Sequence, residues 1–86
     1  MNFVILDLEW NPSYSKKLKG FINEIIEFGA IKVNSNLEIT DTFSVLVRPQ
    51  VGKKLNEKIT ILTHITDEDV EDGCTYTHAL SGFRKF

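Results

Sequence analysis

A single cysteine, Cys74, excludes an intramolecular disulfide and any multi-cysteine zinc site, and fits a reducing compartment. Two prolines and five glycines exclude collagen-like repeats and Pro/Gly-rich low complexity. The longest apolar run, Phe3 to Leu6, is far too short for a membrane span. Asp7 and Glu9 then fall where a signal peptide would continue its apolar stretch. Ten Lys and Arg against twelve Asp and Glu leave a net charge of -2, with no block of one sign, so charge nominates no acidic tail, basic arm or partner. What is present is 42% hydrophobic residues in 86, enough to fold and short enough for one domain at most. A chain of this size buries only about 60 to 65% of the surface it exposes when unfolded. The expectation is a soluble cytoplasmic protein with a small core and no membrane partner.

Phe3-Val4-Ile5-Leu6-Asp7-Leu8 is apolar on both alternating faces, the pattern of a short central strand covered on both sides. From Pro12 to Gly20 the composition shifts to Ser, Tyr, Lys and Gly without period, which predicts a connecting loop carrying Lys16, Lys17 and Lys19. Glu24 to Val33 and Leu37 to Val47, separated by the turn formers Asn34-Ser35-Asn36, predict an antiparallel hairpin that ends at Arg48-Pro49. The period then changes. Leu55, Ile59 and Leu62 share a helical face, Thr66 caps a short acidic helix ending near Gly73, and Thr75 caps a third carrying Tyr76, Leu80, Phe83 and Phe86. Leu55, Ile59, Tyr76, Leu80 and Phe83 are assigned to the core. The order is strands first and helices after, an α/β arrangement of three antiparallel strands plus helices, in which one sheet face lacks an obvious cover.

Asp7 and Glu9 are one residue apart on a strand, so both carboxylates leave the same face with Cα atoms about 7 Å apart. A carboxylate on a central strand needs a cation or hydrogen bonds to stay ionised. Oxygen ligands of this kind suit Mg²⁺ or Mn²⁺, and two such ions can activate a water and stabilise the leaving oxygen in phosphodiester hydrolysis. A strand that simply ends with its acids in water gives the same two residues.

Four segments carry more information together. Ile5-Leu6-Asp7-Leu8-Glu9, then Glu24-Ile25-Ile26-Glu27-Phe28-Gly29-Ala30-Ile31, then Val47-Arg48-Pro49, then Leu62-Thr63-His64-Ile65-Thr66 leading to Asp69-Val70 resemble the first half of the DnaQ-like, DEDD-type 3'-5' exonucleases. Asn2 to Asn11 looks most like a bacterial branch of that family, some members of which are described as inhibitors of a sporulation kinase pathway. The resemblance implies a ribonuclease H-like fold, of which residues 1–86 would be the N-terminal half of an exonuclease domain. It implies hydrolysis at the 3' ends of single-stranded RNA or DNA, with two Mg²⁺ or Mn²⁺ ions in the complete domain. Asp7 would bridge both metals, and Glu9 would bind the one that activates water. Leu8, Trp10, Leu62, Thr63 and Ile65 would contact substrate; Trp10 stands where relatives often carry Thr or Ser and offers either a stacking surface or plain packing. His64 stands where relatives commonly have Gly, and reads as a phosphate donor or a surface residue. His78 is expected in solvent and Cys74 inert. Lys53, Lys54 and Lys58 form either a small basic patch or a solvated face.

The resemblance also implies a third acid, then a His and a last Asp, on later segments; no residue here can be assigned to those roles. The chain alone is therefore expected to be inactive, and its first strand to present an apolar edge that favours self-association or a C-terminal half supplied by another polypeptide. A non-catalytic regulatory or protein-binding module on the same fold is the alternative.

Overall fold

The computed structural model describes residues 2–52 and 54–86, so Lys53, one third of the expected basic patch, lies outside the described residues. Three strands, β1 (Phe3–Ser15), β2 (Gly20–Val33) and β3 (Ile39–Leu46), precede three helices, α1 (Glu57–Thr63), α2 (Asp67–Glu71) and α3 (Tyr76–Lys85). The sheet is antiparallel throughout, in the order β1-β2-β3.

The expected loop from Pro12 to Gly20 is a correction. β1 continues to Ser15 and β2 begins at Gly20, leaving only Lys16–Lys19 as the turn, closed by the Leu18 amide donating to Ser15 Oγ at 3.2 Å. A 13-residue strand is about 43 Å long, which accounts for the 46 Å long axis of the molecule. Pro12 is tolerated because β1 is an edge strand within this sheet, with one side free of a ladder. The second hairpin turn was legible. The Asn34 side chain accepts from the amides of Asn36 and Glu38, a local bond that bends the chain where Asn and Ser cluster.

Register sorts the side chains onto two faces. Leu6 opposes Ala30 and Leu8 opposes Phe28, and these continue across β3 to Phe43 and Val45. α3 covers this face, giving a core of Phe28, Val47 and Ala79 with Leu8, Ile25, Phe43 and Phe83 packed against it. Phe86 closes over Phe43, and Lys32 lies 4.5 Å above the Phe86 ring. On the other face, toward the β1–β2 turn, α1 and α2 enclose a second core of Ile26, Leu55, Ile65 and Val70, joined by Leu46 and Ile59. Both faces therefore carry helices, over different halves of the sheet, and β2 rather than β1 is the central strand.

Phe3, Val4, Ile5 and Leu6 are half exposed on both faces, between 44 and 54%. Tyr76 is the exception in the expected core, 41% exposed beside the Phe28 ring. It is the first residue of α3, where the side chain overhangs the edge of the packed face.

α2 and α3 start where Thr66 and Thr75 predict, and α1 starts at a cap, Asn56, that periodicity alone did not mark. Asn56 Oδ1 accepts from the Lys58 amide at α1, Thr66 and Asp69 form a reciprocal capping box at α2, and Thr75 Oγ1 accepts from the His78 amide at α3. Between α2 and α3 the chain returns to β3. Cys74 donates its amide to Leu46 and accepts from the Arg48 amide, and Gly73 passes so close that a Cβ there would stand 2.9 Å from the Leu46 carbonyl oxygen.

Candidate active site

Asp7 and Glu9 share one face of β1, with Gly29 opposite Asp7 and Glu27 opposite Glu9. Glu27 is the residue that reading the sequence missed. Burial raises its carboxyl above the ordinary range, and the negative charges of Glu9 and then Asp7 push it further the same way. A break in the register explains why the sequence concealed it. Glu9 pairs with Glu27 but Trp10 pairs with Ile25, so Ile26 is an extra residue on β2. In a regular strand, residues three apart point to opposite faces. The bulge instead puts Glu24 and Glu27 on the same face, opposite Asn11 and Glu9.

The floor beside Asp7 is open. Ile5, Gly29, Ile31, Thr42 and Ser44 line a shallow depression of about 360 Å³ that includes Asp7. The donors are all carboxylate oxygens, a set that suits hard divalent ions over soft ones. Among the described residues no group of three His, Cys, Asp or Glu side chains is arranged to hold a metal ion. Asp7 and Glu9 thus fit such an ion in kind and on one face, and offer part of a coordination shell.

Next to the carboxylates a polar network fixes α1 on β1. Asn11, fully buried, accepts from the Asn56 amide at 2.8 Å and donates to Ser13 Oγ at 3.3 Å, and Ser13 donates to Glu24 Oε1 at 3.0 Å. Glu24 in turn accepts from the amides of Gln50, Val51 and Gly52 at 2.8, 3.0 and 2.7 Å. Burial alone would raise the Glu24 carboxyl; the donors of Gly52, Val51, Gln50 and Ser13 outweigh it and hold the group below its ordinary value. Gly52 is required by this approach, since a Cβ would stand 2.5 Å from Ser13 Oγ. The Leu55 amide donating to Asp67 Oδ1 at 2.7 Å adds a tie between this loop and α2.

The apolar substrate candidates separate. Leu62 is 77% exposed at the end of α1, and its neighbour Ile61, absent from the sequence-based set, is 72% exposed. Thr63 turns back, its hydroxyl donating to the Ile59 carbonyl at 2.7 Å and accepting from the Ile65 amide at 3.1 Å. Ile65 is buried in the core with Ile26, Leu55 and Val70. Leu8 packs on the α3 face, away from the carboxylates, and Trp10 alternates to that same side, 44% exposed beside Ile25 and Val47. His64 caps α1 in the left-handed region, φ 63°, with its amide donating to the Thr60 carbonyl. This conformation explains a glycine preference at the position. His64 and His78 are exposed, as are Lys54 and Lys58.

A family model described as Exonuclease, RNase T type, matches residues 4–86. The chain is 39% identical over 61 residues to 3'-5' exoribonuclease 1 of Homo sapiens, covering 70% of this chain and 18% of that protein. It is 32% identical over 76 residues to the probable 3'-5' exonuclease KapD of Bacillus subtilis, covering 87% of this chain and 37% of that protein. Among solved structures, the nuclease domain of 3'hExo, a DEDDh family member bound to rAMP, superposes with a TM-score of 0.75 at 29% identity, covering 95% of this chain and 42% of that one. The chain spans about a fifth to two fifths of the length of these proteins. The sheet and helices correspond to the N-terminal part of the ribonuclease H-like exonuclease fold.

Proposed function

Because this chain belongs to the exonuclease family of RNase T type, we propose that it is the N-terminal half of a metal-dependent 3'-5' exonuclease domain acting on the 3' ends of single-stranded RNA or DNA in the cytoplasm. The observation that carries the reading is the convergence of Asp7 and Glu9 on one open face of β1, within a family match that spans nearly the whole chain. Asp7 and Glu9 would hold Mg²⁺ or Mn²⁺. Two such ions, when bound, supply Lewis-acid activation of water and stabilisation of the leaving oxygen. Asp7 lies on the side of the open depression and Glu9 on the side of α1, so a terminal phosphodiester would sit between sheet and helix. Ile61 and Leu62 give that helix an apolar surface against which a terminal nucleoside can rest, while Asn11 and Glu24 hold the helix and its preceding loop in place. Glu27 adds a negative charge beside Glu9 and strengthens the site's preference for cations.

The decisive experiment is Asp7→Asn in the full-length protein, a change of charge with little change of shape. Loss of Mg²⁺-dependent 3' nucleotide release with thermal stability preserved is expected; retained activity would overturn the role given to Asp7. The 86-residue chain alone should show no measurable hydrolysis, since two carboxylates leave most of the coordination of two ions to water and no base is in position. Mg²⁺-dependent nucleotide release by this chain would overturn its assignment as half of a domain.

A further inference from the structure

On the face opposite the carboxylates, a groove of about 480 Å³ is lined by Trp10, Asn23, Arg48, Gln50 and Tyr76, with Ile22 toward the β1–β2 turn. The resemblance gives Trp10 as a substrate contact and the Gln50 backbone amide serves Glu24, but none of these five side chains is part of the carboxylate site. Trp10 and Tyr76 expose 44 and 41% of their surface there, although a small protein has every reason to bury such rings. Arg48, Asn23 and Gln50 are exposed around them and bring a planar cation and two carboxamides, which can both donate and accept. Glu24 also borders the groove, yet its carboxylate is saturated by three backbone amides and Ser13. Two residues beyond Ile22 the strand enters the turn bearing Lys16, Lys17 and Lys19, roughly 7 Å further along.

Aromatic faces beside a guanidinium and amide edges, with lysines at one end, match what an unpaired nucleic-acid strand offers: π-faces, base-edge donors and acceptors, and phosphates. We propose that this groove is an accessory site for single-stranded nucleic acid, in which Trp10 and Tyr76 stack on bases and Arg48 and the turn lysines neutralise phosphates. The proposal rests on the nucleic-acid reading given above, and it places a second contact on the far side of the edge strand from Asp7. A strand whose 3' end lies at the carboxylates would reach the groove by crossing the free edge of β1. The site would hold the body of the substrate without touching the bond to be cleaved.

Trp10 is the only tryptophan, so its emission reports the groove directly. The 86-residue chain is titrated in EDTA, without divalent ions, with a single-stranded ten-nucleotide oligomer and with the same oligomer as a duplex. Saturable quenching by the single strand alone is expected, weakening as salt rises. Tyr76→Ala should weaken binding by about 5- to 100-fold, as loss of one stacked base does. Tyr76→Phe, which keeps the ring, should stay within about twofold, and so should Ile39→Ala, which alters an exposed side chain at the start of β3 outside the groove. Unchanged Trp10 emission, equal quenching by duplex, or Tyr76→Ala binding like the parent would overturn the proposal. Quenching by an apolar peptide but not by the oligomer would identify a protein-docking groove instead. The two readings fail separately. Cleavage by the full-length protein without groove binding removes only the accessory site, and groove binding with full activity in Asp7→Asn removes only the assigned carboxylate.

Discussion

Phe3–Leu6 and Asn11–Ser15 lie on one strand, yet the apolar segment is half exposed on both faces while Asn11, Ser13 and Ser15 are 5% exposed or less. Hydropathy would order them the other way. The difference lies in what covers each half and whether polar atoms find partners. Over the second half come segments 50–52 and 54–56 and α1, and the buried polar atoms are bonded to Asn56, Glu24, Leu18 and one another. Among the described residues no buried side-chain nitrogen or oxygen lacks a partner. Burying a satisfied polar group costs little compared with an orphaned one. In the first half, apolar side chains stand half exposed beside a strand edge that pairs with no other described strand.

Removing the covered half's central acceptor should have the largest effect. Glu24→Ala leaves the amides of Gln50, Val51 and Gly52 and the Ser13 hydroxyl without their acceptor, and should destabilise the chain by about 2 to 4 kcal/mol in urea unfolding. A loss below about 0.5 kcal/mol would show that the loop is not held by this carboxylate. The same group gives a pH signature. Its folded pKa lies below the ordinary 4.5, so its stabilisation is complete above that pH and fades as pH falls through the lowered folded value. Glu27 has the opposite sign: its folded pKa lies above 4.5, so its ionisation opposes folding at neutral pH, and that opposition is relieved as pH falls through the raised value. Acid unfolding of Glu24→Ala should therefore lose part of its steepness below about pH 4.5, whereas Glu27→Gln should raise stability at pH 7.

Asn11→Ala is the next test, expected to remove about 1 to 3 kcal/mol because the Asn56 amide loses its acceptor in a buried place. His64→Gly acts in the other direction. Relief of the left-handed backbone at the end of α1 should raise stability by about 0.5 to 1 kcal/mol, read as a shift in thermal midpoint. The smallest change should come from the exposed half. Leu6→Thr should alter unfolding free energy by less than about 0.5 kcal/mol while reducing self-association in light scattering. A loss above about 1 kcal/mol there would mean that Leu6 is covered in solution, and the contrast between the halves of β1 would disappear.

Much of this arrangement was legible. Alternation placed Asp7 and Glu9 on one face, Asn34-Ser35-Asn36 marked the turn between β2 and β3, and Thr66 and Thr75 each begin a helix with the local bond that Thr supplies; Asn56 does the same at α1 without having been expected. The long hairpin was not legible, because Ser13, Tyr14 and Ser15 have a loop's composition and only the acceptor of Glu24, the turn bond at Ser15 and the cover of Gly52 bury Ser13 and Ser15. Neither was Glu27, whose face depends on Ile26 lying outside the ladder. Trp10 shows the limit of spacing alone: its face followed from alternation, but the groove it shares with Tyr76 requires the end of β3 to return beneath α3.

The bulge at Ile26 also determines where this chain can gain or lose a residue. Around Lys16–Lys19 an insertion would lengthen a solvent-facing turn and leave both ladders in step. A single insertion beside Ile26 would do something different in kind: with one residue still outside the ladder, it would throw every residue from Glu24 back to Gly20 onto the other side of the sheet relative to Glu27. The carboxylate that grips the 50–52 amides would then point toward α3, and the acid opposite Glu9 would stay where it is. Insertions among natural relatives should accordingly collect at the tip and be absent between Glu24 and Glu27, a pattern that an alignment can check without any knowledge of activity.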